Sequence, residues 1–276
     1  LRRFGKMLVI DLSDGFSLAV HLKMSGQLIH QSYGSCHLRI PNLSSERSRI
    51  KHSSTHRSQS RSLKEDRLGS PSLVSPVFNK YSRVVIEFTN GDILFFNDMR
   101  KFGWIRIAHN DINEPMLQCS NYSDKITKVS ELIKNLGLEP GRDLTLKKFR
   151  EIFKSSKRPV KLLLMDQTKI AGVGNIYANE VLFLSGIHPQ KIAIEITEKQ
   201  AECLYHQLLK LLKKAIELGG ASSNLYRDAF GQKGQAQEHF LVYGREGEKC
   251  INNCTGIIKK IKLGGRGTFF CQRCQN

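Results

Sequence analysis

The feature that most limits how this chain can fold is a set of four cysteines near its C-terminus. Cys250 and Cys254 are separated by three residues, 16 residues follow, and Cys271 and Cys274 are separated by two. Two close thiolate pairs at this separation are typical of a single tetrahedral zinc ion. A glycine-rich stretch over 264–267 lies between the pairs, as a β-hairpin requires. We therefore predict a small finger with one structural zinc, in which the metal supplies part of the folding free energy.

The other cysteines favour a metal site over a disulfide framework. They are scattered along the chain and bring the total to an odd seven: Cys36, Cys119 and Cys203. An odd, unevenly placed set indicates an intracellular chain whose thiols stay reduced. The alternative, four unrelated buried cysteines, explains their zinc-type spacing poorly. The first pair has one residue more than the usual spacing of two, which loosens the ligand loop without preventing coordination.

The overall charge indicates an anionic partner. The chain of 276 residues has 43 Lys and Arg against 25 acidic residues, a net charge of +18. A strongly basic protein usually binds a polyanion, so nucleic acid is the first candidate and an anionic membrane surface the second. No run of 18 apolar residues exists and no secretory signal is visible, so we expect a cytoplasmic protein that does not span a membrane.

The first third of the sequence predicts mostly antiparallel β-structure. Apolar alternation and turn signals predict strands over 7–12, 16–22, 83–88, 93–96 and 104–108. Asn90-Gly91 is a strong hairpin-turn signal. The chain begins at Leu1 and enters a strand pattern almost at once. Because a native N-terminus rarely starts inside a sheet, we interpret the sequence as truncated at its start.

A long insertion interrupts these strands. Residues 44–76 contain 11 serines, seven Lys or Arg and three acidic residues, with few large apolar side chains. Such a composition cannot bury enough surface to offset the entropy lost on ordering. We predict a disordered loop. Its basic charge could contact DNA, but a solvated linker is the simpler interpretation.

The middle of the sequence predicts a helical domain. Helices are predicted over 146–154, 176–185 and 198–218. Thr145 is a candidate N-cap for the first helix. Thr197 and Gln200 form a capping-box pattern at the start of the third, which should end at Gly219-Gly220.

The segment DQTKIAGVGN over 166–175 leads directly into the second of these helices. Its glycines allow close approach of another backbone, and a helix N-terminus presents free N–H groups and positive dipole charge. Lys169 and Asn175 add side-chain donors, so the segment could bind phosphate. The alternative is an ordinary connection between helices, because a short Gly-x-Gly is a weak signal.

Arg266 lies at the tip of the predicted finger hairpin, just before the second cysteine pair. A guanidinium on a rigid hairpin suits a bidentate contact with phosphate. The alternative is an ordinary surface arginine. Because a zinc hairpin and a strongly basic chain surround Arg266, the two interpretations are equally well supported.

Five segments together carry a specific resemblance. They are HLKMSGQL over 21–28, DMRKFG over 98–103, MDQTKIAGVGNIYANE over 165–180, VYGREG over 242–247 and GRGTFFC over 265–271. In this order they resemble the signature motifs of the formamidopyrimidine-DNA glycosylase (Fpg/Nei) family. The resemblance covers nearly the whole chain except 36–80.

The patterns and the resemblance imply an α+β multidomain fold. A partial antiparallel β-sandwich over 1–115 would precede a helical helix–two-turns–helix (H2TH) domain over 116–235 and a zinc β-hairpin finger over 236–276. DNA would lie in the basic cleft between the first two domains, with the finger closing on it. The family's loop that caps 8-oxoguanine should lie within 221–238.

The resemblance implies a base-excision-repair enzyme, a DNA glycosylase and AP lyase that acts on oxidised purines such as 8-oxoguanine and formamidopyrimidines. Such an enzyme flips the base out of the duplex, cuts the glycosidic bond and nicks the strand by β,δ-elimination. The implied partner is double-stranded DNA with oxidised bases or abasic sites. The protein would bind it as a monomer, close to the nucleoid and without a membrane.

The resemblance also implies the site residues. Met24, Arg100 and Phe102 match the residues with which the family fills the space left by the flipped base. A flexible thioether, a cation and an aromatic ring suit that role, although core packing is the alternative for Met24 and Phe102. Catalytic roles would fall on Lys6, a cation near the reacting sugar, and on Arg266, which would hold the phosphates of the damaged nucleotide. Further DNA-binding positions implied by the resemblance are His21, Tyr81, Lys157, Lys169 and Asn175.

The sequence departs from the family pattern in three places. The family's nucleophile is an N-terminal proline followed by Glu, whose secondary amine attacks the sugar carbon to form a Schiff base. These 276 residues contain no segment that matches it. The family's Asp-Pro has become Asp98-Met99, and Tyr81 replaces a DNA-contacting histidine. The sequence therefore supports DNA binding more directly than catalysis.

Two alternatives to a truncated enzyme stay open. A non-catalytic paralogue would bind damaged DNA without cutting it and would show tight, salt-sensitive duplex binding. A zinc-ribbon RNA-binding protein would prefer RNA over duplex DNA. The triad of Met24, Arg100 and Phe102 favours a duplex binder, and a truncated enzyme predicts an upstream Met-Pro-Glu in the gene.

Overall fold

The structure, a computed structural model, describes residues 1–12, 15–32, 79–110, 126–221 and 227–276. The predicted insertion over 44–76 and the cysteines Cys36 and Cys119 lie outside these residues, as does part of the predicted capping loop. Within the described ranges, no helix is long and apolar enough to cross a membrane.

Among the described residues up to 110, seven strands form two antiparallel sheets. The strands are β1 (Arg2–Phe4), β2 (Met7–Asp11), β3 (Phe16–His21), β4 (Gly26–Gln31), β5 (Ser82–Glu87), β6 (Ile93–Asp98) and β7 (Trp104–His109). One sheet has the order β1-β2-β3-β7 and the other the order β4-β6-β5. The predicted antiparallel β-structure is therefore confirmed, with the Asn90-Gly91 turn between β5 and β6.

Two of these strands were not predicted from the sequence. Strand β1 has only three residues, too few to show alternation, and it pairs with β2 through a turn in which Gly5 has a φ of 56°. Strand β4 begins at Gly26 and is only partly buried beyond that residue, so its apolar pattern is weak. Both depend on pairing with a neighbouring strand rather than on their own propensity.

The core of the first sheet follows the two-residue period of its strands. Met7 and Val9 of β2 are buried, and Val9 pairs with the buried Ala19 of β3. These residues pack with Ala108 and with Val129, which begins the first helix. One face of the sheet is thereby covered by the start of the helical domain.

In the part of the chain that the structure describes, five α-helices follow: α1 (Val129–Ile133), α2 (Leu146–Lys154), α3 (Val160–Leu164), α4 (Asn175–Leu184) and α5 (Glu198–Glu217). The predicted caps are confirmed, since Thr145 accepts a hydrogen bond from the backbone of Lys148 and Thr197 forms a capping box with Gln200. The helices α1 and α3 were not predicted, because five residues are too few for a clear helical period.

The largest apolar core formed by the described residues lies inside this helical part. It contains Phe149 and Phe153 of α2, Leu182 of α4, and Leu204 and Leu208 of α5, all almost completely buried. Helix α4 is apolar on most of its circumference because it packs against α5 on one side and the finger on another. This central position fixes the N-terminus of α4 relative to the finger.

The C-terminal hairpin consists of β8 (Ile258–Leu263) and β9 (Arg266–Cys271), which pair in antiparallel register from Ile258 with Cys271 to Leu263 with Arg266. Its small core joins Phe183 of α4 to Val242 and to the cysteines. The predicted β-hairpin finger is confirmed, and it packs directly on the helical part.

Candidate nucleic-acid interface

Two loops of the β-sheets bring the predicted triad together. Met24 lies in the turn between β3 and β4, and Arg100 and Phe102 lie between β6 and β7. The Arg100 guanidinium lies 5.2 Å from the centre of the Phe102 ring, and its Nη1 is 3.6 Å from the Met24 sulfur. Met24 is 61% exposed and Phe102 56%, so neither serves the core. Their exposure removes the core-packing alternative.

Both loops contain a residue with strained backbone. Lys23 has a φ of 53° and Lys101 a φ of 59°, in the left-handed region that costs non-glycine residues about 1 kcal/mol. Each strained residue directly precedes a member of the triad. Strain of this kind persists only where surrounding contacts determine the loop.

Asp98 supplies those contacts. Its carboxylate is buried and accepts hydrogen bonds from the Ser25 hydroxyl at 2.5 Å, the Gly103 backbone at 2.7 Å and the Arg100 backbone at 3.1 Å. Burial alone would raise the pKa of Asp98, but these hydrogen bonds outweigh it and hold the pKa below its ordinary value. The ionised carboxylate therefore fixes both triad loops at once.

His21 is the last residue of β3, directly before one triad loop, and Tyr81 precedes β5 and lies beside Asp98 at the start of the other. The Nδ1 atom of His21 accepts a 3.0 Å hydrogen bond from the backbone of Lys23. Burial, followed by the charges of Lys23 and Lys6, lowers the pKa of His21 to about 4, so the ring is neutral near pH 7 and its Nε2–H is left as a donor. The backbone carbonyl of Tyr81 accepts a hydrogen bond from the Asp98 backbone.

Lys6 lies in the tight turn between β1 and β2, where it reaches across to the helical domain. Its Nζ donates a 3.0 Å hydrogen bond to the Val173 carbonyl, and a Cβ on Gly174 would lie 3.4 Å from it. Burial, then the positive charges of Arg266 and Lys23, lowers the pKa of Lys6. A lysine in this environment carries its proton less firmly than a surface lysine.

The finger tip meets the helical domain at the same place. Arg266 begins β9 and is exposed, while the Asn175 Nδ2 donates a 3.1 Å hydrogen bond to the Gly267 carbonyl. The Nζ of the buried Lys161 donates to the same carbonyl and to the Thr268 hydroxyl. Burial and the charge of Arg266 lower the pKa of Lys161 to about 8. Lys6, Lys161 and Arg266 thus form a cationic cluster, and Asn175 holds the finger.

The other predicted positions lie on two successive connections of the helical part, one on each side of α3. Lys169 is exposed in the turn before α4, where its backbone bonds to Asp166. Lys157 is exposed between α2 and α3. The structure does not bring Lys157 into contact with the cationic cluster, whereas Lys169 belongs to the segment that leads to Asn175.

The four C-terminal cysteines fit a metal. The Sγ atoms of Cys250, Cys254, Cys271 and Cys274 lie within 4.8 Å of one another, and individual pairs lie 3.4 to 3.6 Å apart. An all-thiolate set of this size suits one tetrahedral zinc. Cys203, the remaining described cysteine, is exposed on α5 and takes no part.

Sequence reasoning assigned no role to three buried polar residues that organise the interface. They are Asp98, Lys161 and Glu180, each no more than 1% exposed. Glu180 on α4 accepts hydrogen bonds from three consecutive backbone N–H groups over 241–243, at 2.7, 3.0 and 2.8 Å. Burial raises the pKa of this carboxyl despite those bonds. Lys161 and Glu180 are each a charged residue among apolar neighbours in the sequence, and this pattern could have identified them as buried charges that need partners.

Three protein families match successive parts of this chain. The family described as "Formamidopyrimidine-DNA glycosylase N-terminal domain" matches residues 1–105, the "Formamidopyrimidine-DNA glycosylase H2TH domain" matches 136–227, and the "Zinc finger found in FPG and IleRS" matches 247–276. Their order is that of the β-sheets, the helices and the cysteine finger.

Curated proteins of the same name are similar over much of the chain. Formamidopyrimidine-DNA glycosylase of Streptococcus pneumoniae serotype 4 is 36% identical over 197 residues, which are 71% of this chain and 66% of that protein. The enzyme of that name from Rickettsia massiliae is 32% identical over all 276 residues and 78% of its own length. The chain thus spans about two thirds of the pneumococcal relative and about four fifths of the rickettsial one.

Two solved structures that are similar to this chain are protein–DNA complexes. Lactococcus lactis Fpg bound to DNA with an abasic site superposes with a TM-score of 0.71 at 30% identity, covering 100% of this chain and 80% of that one. The same lactococcal protein in a complex with DNA containing Fapy-dG gives a TM-score of 0.70, with the same identity and coverage.

Proposed function

The chain belongs to the formamidopyrimidine-DNA glycosylase family, and we propose that it recognises oxidised purines and abasic sites in double-stranded DNA. It would act as a DNA repair glycosylase and AP lyase, as a monomer in the cytoplasm. The similar lactococcal protein is known in complexes with abasic-site and Fapy-dG DNA, which supports this choice of substrate.

The observation that carries the proposal is the exposed triad of Met24, Arg100 and Phe102. An aromatic ring and a flexible thioether that stand out from a fixed loop can enter a base stack. The guanidinium between them can hydrogen-bond the base left without a partner. We propose that the triad fills the gap from which the damaged base has been flipped.

The cationic cluster would hold the backbone of the flipped nucleotide. Arg266 is exposed at the finger tip, and its positive charge contributes to lowering the pKa of both Lys6 and Lys161. Phosphate oxygens would relieve this repulsion between cations, which favours binding of a polyanion at this point. Lys169, Lys157, His21 and Tyr81 are proposed as further backbone contacts.

The chemistry would begin with an amine that attacks the sugar carbon, which forms a carbon–nitrogen bond and releases the base with its electron pair. The amine then loses its proton and the sugar ring opens at the C1′–O4′ bond, with a proton taken up by O4′, which gives a Schiff base. Loss of a proton from C2′ expels the 3′-phosphate by β-elimination, and loss of a proton from C4′ expels the 5′-phosphate by δ-elimination. Lys6 is proposed to stabilise charge near the reacting sugar, and Arg266 the leaving phosphate. Zinc, when bound by the four thiolates, would hold the finger in shape and take no part in the reaction.

The test uses the 276-residue protein and duplexes that contain 8-oxoguanine, an abasic site or no lesion. Mobility shifts measure binding, and borohydride traps any Schiff base as a covalent complex. We expect tighter binding to both lesion duplexes, with loss of that preference in Phe102→Ala and not in Lys147→Ala, an exposed lysine on α2. Equal binding of all three duplexes would refute the proposal.

Trapping decides between catalysis and binding alone. A covalent complex would place a reactive amine within these residues, and peptide mapping of the trapped protein would identify that amine. Lesion-selective binding without trapping would show that these residues hold DNA but supply no reactive amine, since they contain no match to the family's Pro-Glu segment. Cutting restored by addition of such a segment would then support the enzyme, whereas no cutting after its addition would favour the non-catalytic alternative.

A further inference from the structure

Glu139 is a buried carboxylate outside the proposed catalytic and DNA-binding residues. It lies in the helical domain before α2 and is only 5% exposed. Its carboxylate faces the turn that follows β1, and it accepts a 3.0 Å hydrogen bond from the Gly5 backbone. A buried carboxylate is costly unless it is paired, and Glu139 is paired with the Gly5 backbone and the Arg3 side chain of the β-sheet part.

Two arginines neutralise Glu139 from opposite domains. Arg3 of β1 forms an ion pair with one carboxylate oxygen, and the Nη1 of Arg142 lies 3.8 Å from the other. Arg142 also approaches the backbone carbonyl of Arg3 and lies 5.1 Å from the centre of the Phe4 ring. The carboxylate therefore joins β1 and its turn to the helical domain.

The same scaffold also receives Lys6. The backbone of Ala171 donates to Leu138, so the segment that carries Glu139 lies beside the segment that leads to Val173. Glu139 binds the amide of Gly5, and the Val173 carbonyl binds the ammonium of the next residue, Lys6. The two contacts fix successive residues of one turn.

Gly5 closes the turn in a backbone conformation that favours glycine. It is buried with a φ of 56°, and a Cβ there would lie 3.4 Å from the Ala171 side chain and from the Gly172 backbone. Without the Glu139 acceptor, the buried Gly5 N–H would lose its hydrogen bond. The turn would have to shift to reach another acceptor, and Lys6 would move with it.

We propose that Glu139 is a positioning residue that holds the Gly5-Lys6 turn on the helical domain and so places the Lys6 ammonium beside Arg266. This inference rests on the proposed function, in which Lys6 and Arg266 act at the damaged nucleotide. It adds a residue that touches neither DNA nor the reacting atoms.

A double-mutant cycle on DNA binding tests the coupling. Glu139→Gln, Lys6→Ala and the double variant are titrated with a duplex that contains a tetrahydrofuran abasic analogue and with the undamaged duplex. Because the single acceptor oxygen of a glutamine cannot serve both Gly5 and Arg3 and has no charge to pair with Arg3 and Arg142, we expect Glu139→Gln to weaken abasic-site binding by about tenfold, and to have no further effect when Lys6 is already alanine. Glu151→Gln, an exposed carboxylate of α2, is the matched control and should change nothing.

A second readout does not depend on DNA. In protein whose lysines carry ¹³C-methyl labels, the Lys6 signal is assigned with Lys6→Arg and its titration is followed by NMR. Glu139→Gln should raise the pKa of Lys6 towards its ordinary value, because the ammonium would leave its enclosed position beside Arg266. Thermal unfolding shows whether each variant is folded. If Glu139→Gln is not, Arg3→Gln replaces it and should give a smaller change in both readouts.

The outcomes separate this inference from the proposed function. Equal binding of both duplexes by the unaltered protein would refute the proposed function, and the Lys6 titration would still decide the role of Glu139. Losses that add in the double variant, or an unchanged Lys6 titration in the folded variant, would overturn the positioning role.

Discussion

The ammonium nitrogen of Lys161 donates a 2.7 Å hydrogen bond to the hydroxyl of Thr268, and so a completely buried cation of α3 is joined to β9 of the finger. The same nitrogen donates to the Gly267 carbonyl at 3.0 Å. In the described part of the chain no carboxylate pairs with it. A buried lysine satisfied only by neutral acceptors is costly to charge.

This cost predicts a pH dependence of stability. Burial first, and the Arg266 charge second, lower the pKa of Lys161 from 10.5 to about 8 in the folded protein. Between these two values the unfolded chain holds more protons than the native one, so the free energy of unfolding should rise with pH. We expect the unaltered protein to gain on the order of 1–3 kcal/mol relative to Lys161→Met across that window.

Urea unfolding of the zinc-loaded protein at pH 8 and pH 10 measures this difference. Lys157→Met replaces an exposed lysine that precedes α3 and is the control. Its free energy of unfolding should equal that of the unaltered protein at both pH 8 and pH 10. A constant difference between Lys161→Met and the unaltered protein would show that the buried amine does not titrate in this range.

The buried carboxylate of Asp98 predicts a loss of stability at low pH. Its hydrogen bonds hold its pKa low although burial opposes them, so its contribution is complete above the ordinary pKa of an aspartate and is lost as pH falls through the lowered value. Asp98→Asn should therefore cost about 1–3 kcal/mol at neutral pH, because an amide cannot accept all three bonds. The cost should shrink in acid.

Thermal unfolding between pH 3 and pH 7 measures the Asp98 effect. Glu87→Gln, an exposed carboxylate on the adjacent strand β5, serves as the control. The variant should also bind the abasic duplex less well, since both triad loops depend on Asp98. Unchanged binding with reduced stability would show that the loops keep their shape without it.

Sequence patterns predicted the parts of this fold that are built from local signals. The helix starts at Thr145 and Thr197 were visible because a cap needs only neighbouring residues, and the finger was visible because thiolate spacing constrains its geometry. The triad was identified only through family motifs. A thioether and an aromatic ring in a sequence look like core residues until their exposure is known.

What the sequence did not reveal depends on distant contacts. Glu139 meets Gly5 across 134 positions, and Lys161 meets Thr268 across 107. The sequence around a charged residue does not indicate which distant residue will form its hydrogen bond or ion pair. The short strand β1 and the helix α3 were missed for the same reason, since each forms because of what it packs against.

The exposed triad predicts a loss of DNA affinity without a loss of stability. Met24→Ala and Phe102→Ala should each weaken binding to the abasic duplex by about 1–2 kcal/mol, the usual scale of stacking contacts. Their melting temperatures should stay unchanged because neither side chain packs in the core. Ile216→Ala, which removes a 77% exposed side chain from α5, is the matched control. Fluorescence anisotropy with abasic and undamaged duplexes measures the effect, and equal losses on both duplexes would argue against a wedge.

Removal of zinc should disable the finger and leave the helical domain folded. The finger's described core is small, comprising Phe183, Val242, Ile258 and cysteines, so coordination by the four thiolates should supply much of its stability. The helices keep a separate core that contains none of the ligands. A chelator should therefore release one zinc per chain, preserve most helical circular dichroism and weaken abasic-duplex binding at least about tenfold, because Arg266 loses its fixed position.

Cysteine variants make the zinc prediction specific to the finger. Cys271→Ser should reproduce the effect of the chelator, since Cys271 is both a ligand and the end of β9. Cys203→Ser removes an exposed thiol of α5 and should leave zinc content and DNA binding unchanged. With zinc lost, Lys161 would also lose its acceptors on β9, and its amine would become accessible to acylating reagents. Full DNA affinity in the zinc-free protein would mean that the packing of the hairpin on α4, rather than the metal, holds Arg266 in place.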